Sequence, residues 1–499
     1  MSFPAVSGIL PAERGCCWSD HALKTTFPAL SEDVACDAVI IGGGIVGLTA
    51  ALALCEAGKS VVVLEGRRIG TQVTGRSTAK ITTQHGLIYS YLAEHAGTEI
   101  AGLYARANLA GMECIRYWID SYLISCDYQQ KDAYSYTLHA ARRHELAEEA
   151  EAARKFGLTA EVLDRTPLPF ATAGALHFPQ QAQFNPTRYL EGLAAAVASR
   201  GGKLYESSRA TTFEPGGSWQ VSAGDGKVTA EHLIMATNSP AKSPIGYSNK
   251  LQPRMHIAMA FRPTEISAVD GMFLGIDEPT HSIRLGQDAE GPLLIVLGPR
   301  FDTGRDGNVG QRFLDLEDWA RANLPIAEAV WRWCNEDYDT VDRMPYVGQP
   351  DPAKAPGFHV ATGFNAWGIT NGTAAGLTIA GEICKGARPW DELYDPMRPV
   401  PEDFHKSGDT QSLTKSAESI PLGQGAVLTR GDEKFAVWKD DKGDLQVLSA
   451  ACTHKGCTVT WNNAEQTWDC PCHGSIFDRD GEVIHGPARH PLEKREVFK

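Results

Sequence analysis

Six side chains near the C-terminus carry the most distinctive chemistry in the chain. They are Cys452, His454 and Cys457 in one run, and Cys470, Cys472 and His473 in a second. The runs read C-x-H-x-x-C and C-x-C-H, with 15 residues between His454 and Cys470. Thiolates and imidazoles are metal ligands, so two loops of this composition imply one shared metal centre. A structural zinc site takes four ligands, commonly at C-x2-4-C spacing. Six candidates in two mirrored halves fit that rule poorly, although zinc and plain buried cysteines remain the alternatives to be weighed.

The pattern resembles the Rieske [2Fe-2S] signature, in which two Cys hold one iron and two His the other. That resemblance implies Cys452, His454, Cys470 and His473 as ligands. It also implies a disulfide between Cys457 and Cys472, tying the two loops together. Imidazole in place of thiolate raises the reduction potential to roughly −150 to +300 mV. Ser475 stands where the family has a serine bonded to a cluster sulfur. Phe477 stands where high-potential members carry a tyrosine, so a lower potential is expected. Gly486-Pro487-Ala488 resembles the proline loop that covers the cluster.

The rest of the chain must position and feed this centre. It has 499 residues, enough for two or three domains, and 43% hydrophobic content. A formal charge of −14 argues against nucleic acid or an anionic membrane as partner. Of 12 Cys, the motif uses four. The others (Cys16, Cys17, Cys36, Cys55, Cys114, Cys126, Cys334 and Cys384) complete no motif and read as small buried hydrophobes or surface thiols. The N-terminus lacks a secretory signal, which predicts a cytoplasmic protein. A disulfide there would need burial, because the cytosol keeps thiols reduced.

Near the N-terminus, Asp37–Ile41 reads as a strand, Gly42-Gly43-Gly44-Ile45-Val46-Gly47 as a turn, and Leu48–Glu56 as a helix. No charge occurs from Ala38 to Cys55, but the glycines argue against a membrane span. Gly42, Gly44 and Gly47 occupy the G-x-G-x-x-G positions: turn, close approach to pyrophosphate, and helix–strand packing. A second strand, Ser60–Leu64, ends in Glu65, at the distance where an acid bonds ribose hydroxyls. Arg67 and Arg68 could grip a 2′-phosphate, or be surface charges.

Residues 70–86 resemble the flavin-contacting stretch of the D-amino-acid-oxidase-like superfamily. The resemblance favours FAD as cofactor, with Ser77, Thr78 and Lys80 near the pyrophosphate or flavin. His85 would lie near the isoalloxazine, or be a structural turn histidine. Downstream, Asn185 should cap a helix over 188–199. Strands near 203–205, 219–221 and 233–238 follow the order of the same superfamily. Residues 98–160 carry helical runs at 99–119 and 142–156. Residues 250–340 read as an antiparallel sheet with a helix at 310–324, a sheet that roofs the substrate pocket in this superfamily. His256, Arg262 and Arg284 are expected mainly in solvent.

The run Gly363–Thr370 then leads into a small-residue helix to Cys384. In the superfamily the corresponding turn brings backbone N–H groups to the flavin pyrimidine, which implicates Gly363, Gly368, Ile369 and Thr370. A helix N-terminus there stabilises the negative charge of the reduced ring. Trp367 could wall the substrate cavity or be a core aromatic.

The expected fold is therefore an α/β FAD-binding Rossmann-like domain with an inserted antiparallel-sheet substrate domain, plus a small all-β Rieske domain. The boundaries read as an irregular extension (1–35), the FAD-dependent part (36–395), a linker (396–415) and the Rieske module (416–499). As a whole the chain resembles FAD-dependent oxidoreductases with a C-terminal Rieske domain. The resemblance implies oxidation of a small amine or amino acid at FAD, with electrons leaving singly through the cluster to an unidentified acceptor. Two alternatives use the same cofactors. One is a reductase component fed by NAD(P)H or ferredoxin, and the other a non-enzymatic redox sensor. No second G-x-G-x-x-G is present for a nicotinamide domain. His85 and Trp367 are the only catalytic candidates.

Overall fold

The computed structural model describes residues 10–19, 25–241, 246–247, 249–266, 269–401, 404 and 416–496. Most of the 396–415 linker lies outside these residues. The run Val34–Ile41 is buried over its last four residues and forms the centre of the dinucleotide sheet. Its neighbours are Val61–Leu64 and Lys203–Tyr205 on one side, and Gly226–Met235 and Phe358–Thr362 on the other, all parallel. Both faces are covered, so Val61–Leu64 is apolar at every position. The helix Ile45–Glu56 is apolar nearly all round because it packs between this sheet and the helices Pro186–Ser199 and Gly368–Cys384. Asn185 caps the former as expected: its side chain accepts from Thr187 and Arg188 N–H.

A second, 11-stranded sheet stands beside the first. Its spine is the antiparallel pair Gln252–Pro263 and Ile326–Asp339, continued through Gly291–Leu297, Ser282–Asp288 and Met272–Gly275. Met272–Gly275 runs parallel to Gln129–Thr137, which pairs with Gly174–Gln183. These last two strands were not expected. Gln129–Thr137 is buried on consecutive residues at its end, which erases the alternation that marks a half-buried strand. The expected helices form over Thr98–Ser121, Arg143–Lys155 and Val309–Asn323.

The N-terminal extension is less irregular than its composition suggests. Glu13–Arg14 pairs in parallel with Trp331–Arg332, and Cys16, Cys17 and Trp18 are buried. At the C-terminus, Gly425–Arg430, Glu433–Lys439 and Leu445–Ser449 form a three-stranded antiparallel sheet. Thr460–Asn462, Thr467–Asp469, Ile476–Asp478 and Val483–His485 form a four-stranded one. Among the described residues no helix is long and apolar enough to cross a membrane.

Candidate cofactor groove and metal centre

The three glycines at the first turn have separable roles. Gly42 has φ +109°, and a Cβ there would lie 2.5 Å from the Ala236 carbonyl oxygen. A Cβ on Gly47 would lie 2.0 Å from the Gly42 carbonyl oxygen, so helix and strand meet only without a side chain. A Cβ on Gly44 would touch nothing closer than Thr74 Oγ1 at 3.4 Å; the space beside it belongs to a groove. Gly44 is also the N-cap of Ile45–Glu56 and offers no side-chain cap, so the helix start keeps donors for an anion. Glu65 is buried at the next strand end and accepts from Gly43 N–H and Arg67 N–H, each at 2.9 Å. Burial raises its pKa above the usual carboxylate value.

The groove continues past Thr237 and Asn238 to Asp337, Ala366, Gly368 and Ile369. It opens into a second cavity of about 750 Å³, with Ser77, Thr78, His256, Leu297, Ala366 and Ile369 on the wall of both. Lys80 lines this cavity and not the groove; its Nζ donates to Phe273 O at 2.9 Å and bonds Ser282. Burial, with Arg284 nearby, pushes Lys80 down to about 7. Gly363 lines neither space; a Cβ there would strike Thr340 Cγ2 at 2.4 Å, so packing requires the glycine.

His85 and Trp367 are brought together, stacked with centroids 4.5 Å apart. Both ring nitrogens of His85 are engaged. Nε2 faces Thr82 O at 2.9 Å, so it donates, and Nδ1 accepts from Tyr104 Oη at 2.7 Å. Burial holds the ring neutral, down to about 3. Thr370 bonds the same Thr82 carbonyl and stands 3.2 Å from His85 Nε2. The pair is thus a rigid wall, with Trp367 braced by His85.

Two residues expected in solvent are not there. Arg284 is 3% exposed and donates to Ala79 O, pinning the Ser77–Lys80 segment from behind. His256 lies between groove and cavity, pushed down to about 4 by burial, with no partner for Nδ1 among the described residues. Arg262, the third, is half-buried and bonds Asp288. Asp337 was missed entirely. It is buried on the groove wall, accepts from Tyr338 N–H and Ala366 N–H, and is raised to about 7 by burial. A single acid in a strand has no spacing by which to read it.

In the C-terminal module the two loops meet. Cys457 and Cys472 are bonded to each other, and Cys470 Sγ lies within 4.8 Å of both sulfurs. Cys452 and Cys470 are buried and share a hydrogen bond, which lowers the Cys452 thiol to about 7 against its burial. The His454 and His473 rings stand edge to face, centroids 4.8 Å apart. His454 Nδ1 is buried without a partner among the described residues. Two adjacent thiols, two adjacent imidazoles and an orphaned ring nitrogen fit a cluster with one sulfur-held and one nitrogen-held iron. Ser475 is fully buried, and its Oγ accepts from Ala488 N–H at 3.1 Å, closing the Gly486–Ala488 loop over the site. Phe477 is fully buried in the surrounding apolar cluster.

The module is docked on the larger part by polar contacts. Arg76 donates to Cys334 O and to Glu465 at 3.0 Å. Arg209 donates to Val483 O and Arg489 to Thr211 O. As a result Ile484, His485, Gly486, Ala488 and Arg489 form one wall of the dinucleotide groove.

A phosphate-binding turn, a groove long enough to pass from that turn to a second cavity, and the covering loop of an iron–sulfur site on its wall define a flavin-dependent redox protein. The family comparison agrees: the model for FAD dependent oxidoreductases (DAO) matches residues 37–381, and that for the Rieske [2Fe-2S] domain matches residues 411–496. The chain belongs to the DAO family of FAD-dependent oxidoreductases and carries a Rieske domain. FAD and a [2Fe-2S] cluster are its cofactors. It is 30% identical to the "Putative Rieske 2Fe-2S iron-sulfur protein YhfW" of Bacillus subtilis (strain 168), over 96% of this chain and 97% of that one. It is also 30% identical to gamma-glutamylputrescine oxidoreductase of Escherichia coli (strain K12), over 77% of this chain and 91% of that one. Glycine oxidase from Geobacillus kaustophilus shares the fold with a TM-score of 0.62 at 19% identity, covering 74% of this chain and 100% of that one.

Proposed function

We propose that the protein oxidises a small amine or amino-acid-like substrate in the 750 Å³ cavity and releases the electrons one at a time through the Rieske centre. Cys452, His454, Cys470 and His473 would hold the cluster. Gly42, Gly44, Gly47, Glu65, Ser77, Thr78, Gly368 and Ile369 would line the FAD seat. When bound, FAD takes a hydride from substrate carbon, and the cluster carries single electrons. The observation that carries this reading is the shared wall. One groove touches the substrate cavity on one side and the cluster-covering loop on the other.

The cavity's own residues suit an amine. Lys80 and Arg343 line it and form no ion pair among the described residues. Arg142, Arg254 and Arg300, also on its wall, are matched by Glu145, Asp302 and Asp339. Glu278 on the same wall offsets part of this charge, and the positive charge that remains disfavours an ammonium and so favours the neutral amine, the form able to release hydride. The same charge would hold a substrate carboxylate. His256, neutral and unpartnered at Nδ1, stands on the same wall as a hydrogen-bonding group for a bound substrate. His85 and Trp367 shape the wall and exclude water.

Anaerobic addition of candidate amines and amino acids, followed by stopped-flow absorbance, tests this. The flavin bands should bleach first and the cluster bands second. A flavin that no amine or amino acid reduces, but that NADPH reduces rapidly, would overturn it.

A further inference from the structure

Between the groove and the cluster loops lies one strand segment, Asn335–Tyr338. Strand alternation sends successive side chains to opposite faces. Asn335 and Asp337 line the groove. Glu336 and Tyr338 point the other way, into the Rieske module. Tyr338 is 1% exposed. Its hydroxyl lies 3.3 Å from His473 O and 3.3 Å from Gly474 O. Ser239 bonds the same hydroxyl. On the groove side, Asp337 accepts from Ala366 N–H, and Tyr338 O accepts from Asn365 N–H at 3.1 Å.

The contact with the cluster loop is built for closeness. Gly474 has φ +71°, and a Cβ on it would lie 2.6 Å from Tyr338 Oη and 2.4 Å from Glu336 Oε1. Only glycine lets the backbone beside His473 settle onto the phenol. His473 is 8% exposed and shares a small space with Tyr338, Ser239 and Pro240. The buried imidazole therefore faces the flavoprotein part.

We propose that Tyr338 is a positioning residue for electron transfer. Its backbone continues the strand from Asp337 on the groove wall, and its hydroxyl fastens the His473 loop, giving a continuous bonded route from one cofactor site to the other. In each transfer one electron leaves the reduced flavin and one ferric iron becomes ferrous. Tyr338 is neither oxidised nor deprotonated. The two electrons of a turnover leave in two such transfers, each passed on to a one-electron carrier. This assignment rests on the cluster serving as the exit for flavin electrons.

The test uses the full-length holoprotein and Tyr338→Phe, which keeps the ring and removes the hydroxyl. Flash photoreduction of the flavin makes the measurement independent of any substrate, and cluster reduction is followed by absorbance. Transfer in Y338F should be slower by about tenfold. An EPR-monitored titration should show cluster g-values and potential like the wild type's, which separates a lost route from a damaged cluster. A wild-type rate in Y338F overturns the proposal while leaving the electron exit intact. Y338F lacking its cluster overturns it too, because the hydroxyl would then serve loop folding. Absence of flavin-to-cluster transfer in the wild type would instead overturn the exit itself.

Discussion

His485 Nε2 lies 3.3 Å from Glu336 Oε2, and both side chains are buried where the Rieske module meets the flavoprotein part. Burial disfavours the charged form of each. Burial first, then Asp469, raises Glu336 well above the carboxylate range; burial, then Arg209, lowers His485 to about 4. Both shifts work against an ion pair at this contact.

Glu336→Gln should therefore be tolerated, keeping the cluster and costing about 1 kcal/mol or less. The pH dependence carries the sign. A raised folded pKa means that the native state binds more protons than the unfolded one above pH 4.5. That contribution is full below 4.5 and is lost as pH rises toward the folded value. The melting temperature of wild type relative to E336Q should decline from pH 4.5 upward. A flat difference across that range would mean that Glu336 is ionised.

The first and third fingerprint positions should differ from the second. Gly47→Ala drives a Cβ into the Gly42 carbonyl and should yield little folded protein. Gly44→Ala meets only Thr74 Oγ1 at 3.4 Å and should fold, yet its methyl group enters the groove. Purified G44A should contain substoichiometric FAD, read from the flavin-to-protein absorbance ratio.

Lys80 should impose a titration on flavin reduction. Its pKa of about 7 makes it neutral in mildly alkaline solution, removing positive charge from the cavity. Lys80→Met should abolish a break near pH 7 in the reduction rate by an amine that is itself neutral throughout. In stability the sign is opposite to that of Glu336. The folded lysine binds fewer protons between about 7 and 10.5, so wild type should gain stability relative to K80M as pH rises through that window.

Phe477 fills an apolar site and adds no hydroxyl to that of Ser475 beside Cys452. Phe477→Tyr should supply one and stabilise the reduced, more negative cluster. Protein-film voltammetry should show a positive shift of some tens of millivolts, on the roughly −150 to +300 mV scale of such centres. An unchanged potential would mean that the new hydroxyl turns away.

The motifs were legible where chemistry restricts residue type. Gly42 and Gly47 are forced by carbonyl oxygens a side chain could not avoid, and the Cys and His runs are few enough to stand out. Glu65 was found by its distance from the glycines. Asp337, Glu336 and Tyr338 were not legible, because each acts alone from a strand whose facing surfaces belong to remote segments. Arg284 and His256 were misplaced for a related reason. A charged residue in an alternating strand reads as solvent-facing, and only the tertiary fold reveals the carbonyl that Arg284 bonds. The docking of the Rieske module depends on Arg76, Glu465 and Arg209, ordinary surface types with no pattern in sequence.

The loop Ile484–Arg489 closes the dinucleotide groove, and it follows every other residue of the groove's wall in the chain. The ribosome thus delivers the seat well before the cover. Once the cover is in place, the groove is walled by both domains.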